Sequence, residues 1–179
     1  MRSCTSKNCK TRSTPCRIEA RFAHQGALRS ILSRAKAALR SAMRYSCVNE
    51  IPSVETYRAL RTGSGLSAKT VEAAERGLPH TLFAVQVLDG ATPVGMGRVI
   101  GDGGCFYQVV DIAVLKAHQG KGLGKRIMAE IVKYLEANVP ESGYVSLIAD
   151  GEAQKLYAQF GFVHTAPASV GMAFKRRTR

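Results

Sequence analysis

Val109-Val110-Asp111-Ile112-Ala113-Val114-Leu115-Lys116-Ala117-His118-Gln119-Gly120-Lys121-Gly122-Leu123-Gly124-Lys125 decides the fold. It reads as a mostly apolar strand, a glycine-rich loop and the start of an amphipathic helix. From about Gly122 to Ala137, Leu123, Ile127, Ile131 and Leu135 form one apolar stripe, with Met128 and Val132 beside it. A glycine-rich turn from a strand into a helix can hold a phosphorylated ligand. The first-turn N–H groups lack intrahelical acceptors, and the helix dipole favours negative charge there. Glycine lets the backbone approach an anion closely, and successive N–H groups make a concave nest. The G-x-x-x-x-G-K-[ST] spacing of a Walker loop is missing. So is the third glycine of G-x-G-x-x-G.

Working outward, Thr81 to Leu88, Pro93 to Ile100 and Cys105 to Val114 alternate or run apolar, joined by Asp89-Gly90 and by Gly101-Asp102-Gly103-Gly104. Such short connections predict an antiparallel meander. The glycines of Pro93-Val94-Gly95-Met96-Gly97 predict a bulge or a close backbone approach. Upstream, Tyr45 to Asn49 is a first strand. Ser53 caps a helix over Val54 to Arg61, and Ser67 caps a second over Ala68 to Arg76. Downstream come a strand from Tyr144 to Ala149, a short helix from Glu152 to Phe160, and final strands at Phe162 to His164 and Val170 to Phe174. The strand at Tyr144 follows a helix and so runs parallel to the strand ending at Val114. The order β-α-α-β-β-β-α-β-α-β-β implies an α/β domain. Its sheet is mixed and mostly antiparallel, flanked by helices, with one parallel pair that can splay to leave a ligand slot.

The chain has 179 residues and a formal charge of +13, unevenly spread. Met1 to Asn49 carries 11 Lys and Arg against one acid, Glu19, a net +10; Glu50 to Arg179 carries 15 against 12, a net +3. Two regions follow: a basic extension over residues 1–44 and a domain over residues 45–179. In the extension, Met1 to Pro15 reads as disordered. Leu28 to Met43 reads as a basic amphipathic helix. Its composition fits a mitochondrial or plastid transit peptide, a solvated helix packed on the domain, or non-native coding sequence. The location is then cytoplasmic, or mitochondrial or plastid if the segment is a transit peptide. Five cysteines without C-x-x-C spacing argue against zinc and for free thiols, so no metal is expected. No apolar run approaches the ~18 residues that a membrane span needs. The basic extension lacks interleaved aromatics, so nucleic acid is not an expected partner.

Gln119-Gly120-Lys121-Gly122-Leu123-Gly124 resembles the Q/R-x-x-G-x-G/A pyrophosphate loop of the GNAT superfamily of acetyl-CoA-dependent N-acetyltransferases. Leu156-Tyr157-Ala158-Gln159-Phe160-Gly161-Phe162 is similar to that family's later Y-x-x-x-G-F signature, and Gly171-Met172 resembles members near the plant-type serotonin/arylalkylamine enzymes. The resemblance covers about Tyr45 to Phe174. It implies acetyl-CoA as co-substrate and direct transfer to a primary amine in a ternary complex. The acceptor would be an arylalkylamine, polyamine, amino sugar or aminoglycoside. A protein or peptide amine, or a non-catalytic acetyl-CoA-binding regulator, is the alternative. Backbone groups of Ile112, Ala113 and Val114 would pair with the pantetheine arm, with the Val114 N–H polarising the thioester carbonyl. Gln119, Gly120, Lys121, Gly122, Leu123, Gly124 and Lys125 would hold the pyrophosphate. Tyr157 would protonate the leaving thiolate. Homodimers are common in the superfamily.

Asp111 is polar in an apolar strand and must be satisfied. It is either the base that takes the amine's proton or a structural carboxylate. Glu72, Glu75 and Asp102 read as solvated charges, His118 and His164 as surface residues, and Cys105 as a small buried strand residue rather than an acyl carrier.

Overall fold

A computed structural model describes residues 44–174. The extension's disordered stretch and its amphipathic helix lie outside these residues. Five strands pair in the order β1-β2-β3-β4-β5: β1 Tyr45–Val48, β2 Thr81–Asp89, β3 Thr92–Gly101, β4 Phe106–Val114 and β5 Tyr144–Leu147. The first four are antiparallel neighbours and β5 is parallel to β4, as the connection lengths require. Helices α1 (Val54–Ser64) and α2 (Val71–Gly77) sit between β1 and β2 in the chain. Helix α3 (Leu123–Asn138) crosses from β4 to β5. A single α-turn, α4 (Gln154–Tyr157), lies between two 3-10 turns and ends at Gly161, whose φ is 84°.

The sheet is covered on both faces. Helix α3 buries Leu123, Ile127, Met128 and Ile131 against Val85, Val87, Val99 and Val109. Tyr57 and Leu60 of α1, with Ala74 of α2, meet Met96 and Ala113 on the other face. Gly97 sets how near α3 comes. A Cβ there would lie 2.5 Å from Ile127 Cγ2 and 2.8 Å from Ile112 Cδ1. The close approach expected of the β3 glycines is thus a helix seated on the backbone.

The bulge lies opposite, on β4. Met96 pairs with Ala113 and Arg98 with Val110, so Asp111 and Ile112 together face Gly97. Asp111 takes φ 58°, a left-handed conformation that aspartate tolerates better than most residues. A bulge bends its strand. The ladder to β5 ends at Val109↔Leu147, and β4 runs on from Val110 to Val114 without β5 beside it. This is the splayed parallel pair.

Three local expectations are corrected. Helix α2 starts at Val71, capped by Thr70, whose side chain accepts from Ala73 N–H at 3.1 Å. Ser67 does not cap it, because its carbonyl and hydroxyl accept from Arg61 at 2.8 and 3.1 Å. Cys105 precedes β4 and is exposed rather than buried. Residues 162–164 and 170–174 are not strands. The alternation of Val170, Met172 and Phe174 is real, but all three are exposed with no neighbouring strand among the described residues. Period two marks a chain able to pair; the partner is a separate, non-local requirement.

Gly97→Ala is expected to destabilise the domain by about 1–3 kcal/mol through overpacking against α3. A urea midpoint unchanged within error, at constant slope, would show that α3 does not rest on this backbone.

Candidate active site

The open edge of β4 has a defined polarity. Leu115 N–H donates to Val94 O at 2.9 Å, so the neighbouring pair Gly95↔Val114 falls between hydrogen-bonded pairs. Val114 therefore turns its N–H and carbonyl away from β3, and Ile112 does the same by alternation. Ala113 faces β3, and its side chain is buried among the α1 and α2 residues. Of the three backbone positions expected on the slot, Ile112 and Val114 lie on it and Ala113 does not. The Val114 carbonyl accepts from Gln119 Nε2 at 2.9 Å. Its N–H points off the β3 ladder, and the β5 ladder ends five residues earlier, at Val109.

Beyond Val114, Lys116–His118 forms a 3-10 turn that leads into the glycine loop. Gly120 and Gly122 have φ of 73° and 80°, which a Cβ would strain. Gly122 is the N-cap of α3 and offers no side chain to its orphan donors. The first bond into the helix runs from Arg126 N–H to Gly122 O, leaving the N–H groups of Leu123, Gly124 and Lys125 without a backbone acceptor among the described residues. The first turn carries no acid. A pocket of about 270 Å³ opens here, lined by Val114, Gln119, Gly120, Gly122, Leu123, Gly124 and Lys125 together with His118 and Leu156. Its donors, dipole and Lys125 fit a bound anion such as a pyrophosphate.

Two members of the expected loop act differently from the rest. The Gln119 N–H already donates to Lys116 O at 3.3 Å, so the free donors start at Gly120. Lys121 Nζ turns to Ala117 O at 2.8 Å and the Tyr45 hydroxyl at 3.4 Å, and it does not line the pocket. His118 is no loose surface residue. Its Nδ1 shares a 3.0 Å hydrogen bond with the Tyr45 hydroxyl, and the residue lines the pocket. His164 is exposed.

Tyr157 closes α4 one residue past Leu156. It is half-buried and packs edge-on to Phe162, with ring centroids 6.5 Å apart. Leu156 reaches the pocket and Tyr157 is not in its lining. A Cβ at Gly124 would lie 3.2 Å from Leu156 Cδ2, so that glycine lets α4 sit beside the start of α3.

Asp111 is held by two guanidinium groups. Arg61 Nη1 donates to Oδ1, while Arg98 Nε donates to Oδ2 at 2.9 Å and its Nη2 lies 2.8 Å from the same oxygen as an ion pair. All three side chains are less than a tenth exposed. Both carboxylate oxygens are engaged, the arrangement expected of a structural carboxylate rather than of a free base. Sequence reasoning did not find Arg61 and Arg98. Their signal was the unsatisfied Asp111 itself, together with Arg98 inside an apolar strand. Asp102 accepts from Gly104 and Phe106 N–H at 2.9 and 3.0 Å, and these backbone bonds hold its carboxyl below the usual range. Glu72 pairs with Arg76 on the surface, and Glu75 is exposed.

A family model for the acetyltransferase (GNAT) domain matches residues 79–164. A solved Staphylococcus aureus protein, described as a probable acetyltransferase of unknown function, is 53% identical over 74% of this chain and 99% of its own, with TM-score 0.70. A GNAT family acetyltransferase from Streptococcus pneumoniae is 26% identical over 75% of this chain and 99% of its own, with TM-score 0.62. A chloroplastic serotonin N-acetyltransferase 2 from rice is 31% identical over 117 residues, 63% of this chain and 57% of the relative. The matches to curated relatives span 42 to 59% of those proteins' lengths. Among the described residues no helix is long and apolar enough to cross a membrane.

Burial raises the phenol pKa of both Tyr57 and Tyr157, with the charges of Asp111 and Asp150 respectively adding to it. Unfolded phenols lose their protons first as pH passes about 10. The native state then binds more protons than the unfolded one, so stability falls with rising pH there and is unaffected by these groups below it. Urea midpoints should drop above about pH 10 as tyrosinate absorbance rises. A flat midpoint across that range would contradict this.

Proposed function

The chain belongs to the GNAT family of N-acetyltransferases, and we propose that this enzyme moves the acetyl group of acetyl-CoA onto the primary amine of a small molecule, by direct attack in a ternary complex. One observation carries the reading: the Val114 N–H turns outward from β3 at the end of a splayed strand, beside an uncapped glycine-rich helix start. The N–H groups from Gly120 to Lys125 hold the pyrophosphate, with Lys125 adding charge. Ile112 and Val114 offer backbone groups to the pantetheine arm. The acceptor nitrogen forms the new bond to the acetyl carbon while the bond from that carbon to sulfur breaks. The Val114 N–H donates to the carbonyl oxygen as negative charge develops there.

Tyr157 supplies the proton that the departing thiolate takes. Its raised pKa keeps the hydroxyl protonated throughout the neutral range, so it is always in the donor form. With Asp111 engaged by Arg61 and Arg98, the amine's own proton leaves through water. Cys105 is exposed in the loop before β4, away from the open end of the strand, which supports transfer without an acyl-cysteine. An aromatic alkylamine is the first acceptor class to test, because the rice relative is described as a serotonin N-acetyltransferase. Tyr157→Phe is expected to slow turnover by about 10²-fold or more, the scale of a lost general acid, while CoA binds as before. A thiol-release assay with an amine panel, run beside calorimetry with CoA, checks this. Absence of CoA binding would end the reading. Binding without turnover on any amine would make the chain a regulator.

The basic, acid-poor Met1 to Arg44 and the chloroplastic rice relative support import into an organelle. That segment fused to a fluorescent reporter should mark plastids or mitochondria; diffuse cytosolic signal would refute it.

A further inference from the structure

Helix α1 touches the chain on both sides of Val114, at β4 and just past its end. Three residues before it, Arg61 meets Asp111 in the bulge. One residue after it, Leu115 packs under the end of α1: a Cβ at Gly63 would lie 2.5 Å from Leu115 Cδ2, and Leu66 joins the same cluster. Arg61 also reaches the loop between α1 and α2. Its Nε donates to Ser67 O at 2.8 Å and its Nη2 to Ser67 Oγ at 3.1 Å. One planar guanidinium thus binds the bulge of β4 and the loop after α1 at once, through three separate nitrogens held in one plane, a fixed fork that an ammonium with its donors on one atom does not reproduce. From the sheet side, Arg98 fixes the other carboxylate oxygen and donates to Thr81 Oγ1 at 2.6 Å. The glycine loop is held by other bonds, those of Gln119, Lys116 and the α3 start, none of which involves Arg61.

We propose that Arg61 is a positioning residue for acetyl transfer. Through Asp111 it holds the bulge that aims the Val114 N–H, and through Ser67 it makes that aim depend on the seating of residues 65–70. The inference rests on the reading of Val114 as the donor to the reacting carbonyl. Displacing a reacting group by about 1 Å can cost about 10²-fold in rate. Arg61→Lys keeps the charge that Asp111 needs and loses the fork. It is expected to lower kcat by about 10- to 100-fold, on that same misplacement scale, with the Kd for CoA changed less than about twofold. Ser67→Ala, which removes only the Oγ acceptor, should give a smaller fall of the same kind, and it decides the matter if Arg61→Lys does not fold.

Amide hydrogen exchange gives a readout that needs no turnover. Ala113 and Leu115 face β3 and should exchange faster in Arg61→Lys, while Met128 to Leu135 of α3 keep their protection. A folded variant with wild-type kcat, or equal protection at Ala113 and Leu115, would overturn the proposal. So would a loss of CoA affinity in proportion to kcat, the mark of general loosening. Faster exchange at Ala113 and Leu115 in a chain whose wild type acetylates no amine would uphold the clamp and sink the enzymatic reading.

Discussion

A carboxylate buried between two guanidinium groups is the constraint on which the site's geometry depends. Removing an ion from water costs several kcal/mol even after relaxation, and an isolated one in this core would not stay charged. Asp111 meets that cost with donors from α1 and from β3. To face both it takes φ 58° and puts an extra residue into β4 opposite Gly97. The strand bends there, pairing with β5 stops at Val109, and the next five residues are left with an open edge. An electrostatic requirement and the opening of the slot are the same local event.

Much of this was legible in the sequence because much of it is local. The meander follows from short connections, the α3 face from period 3.6, and the anion pocket from glycines before an apolar stripe with no acid in its first turn. Long-range choices were not legible. Arg61 lies 50 residues from Asp111, and no periodicity says which of many arginines will be buried. The start of α2 is hidden for the same reason: Ser67 is a sound cap by type, but Arg61 occupies it and Thr70 caps the helix. Alternation at Val170, Met172 and Phe174 predicts strands that do not form. It describes side-chain facing, and a ladder needs a neighbour as well.

Charge was the least informative property for the site. The strong positive balance sits largely before Glu50, and Lys121, which looks like an anion ligand, spends its ammonium on Ala117 O and Tyr45. What remains at the pocket is Lys125 and a set of backbone donors whose directions are set by the positive φ of Gly120 and Gly122. Such donors select an anion by shape and by distance from the helix axis. Bulk charge would attract any polyanion and fade with salt.

Two clamps converge on Val114 and divide the work. Gln119 closes onto its carbonyl and so fixes the start of the glycine loop against the strand. Arg61 and Arg98 fix the bulge behind it and so fix where its N–H points. The first clamp belongs to residues that follow β4 in the chain and the second to residues that precede it. Either can therefore change with little effect on the other, and affinity for the anion can drift apart from the placement of the donor. A strand that was straight and fully paired to β5 would offer neither freedom, because its N–H would already be spent in the ladder.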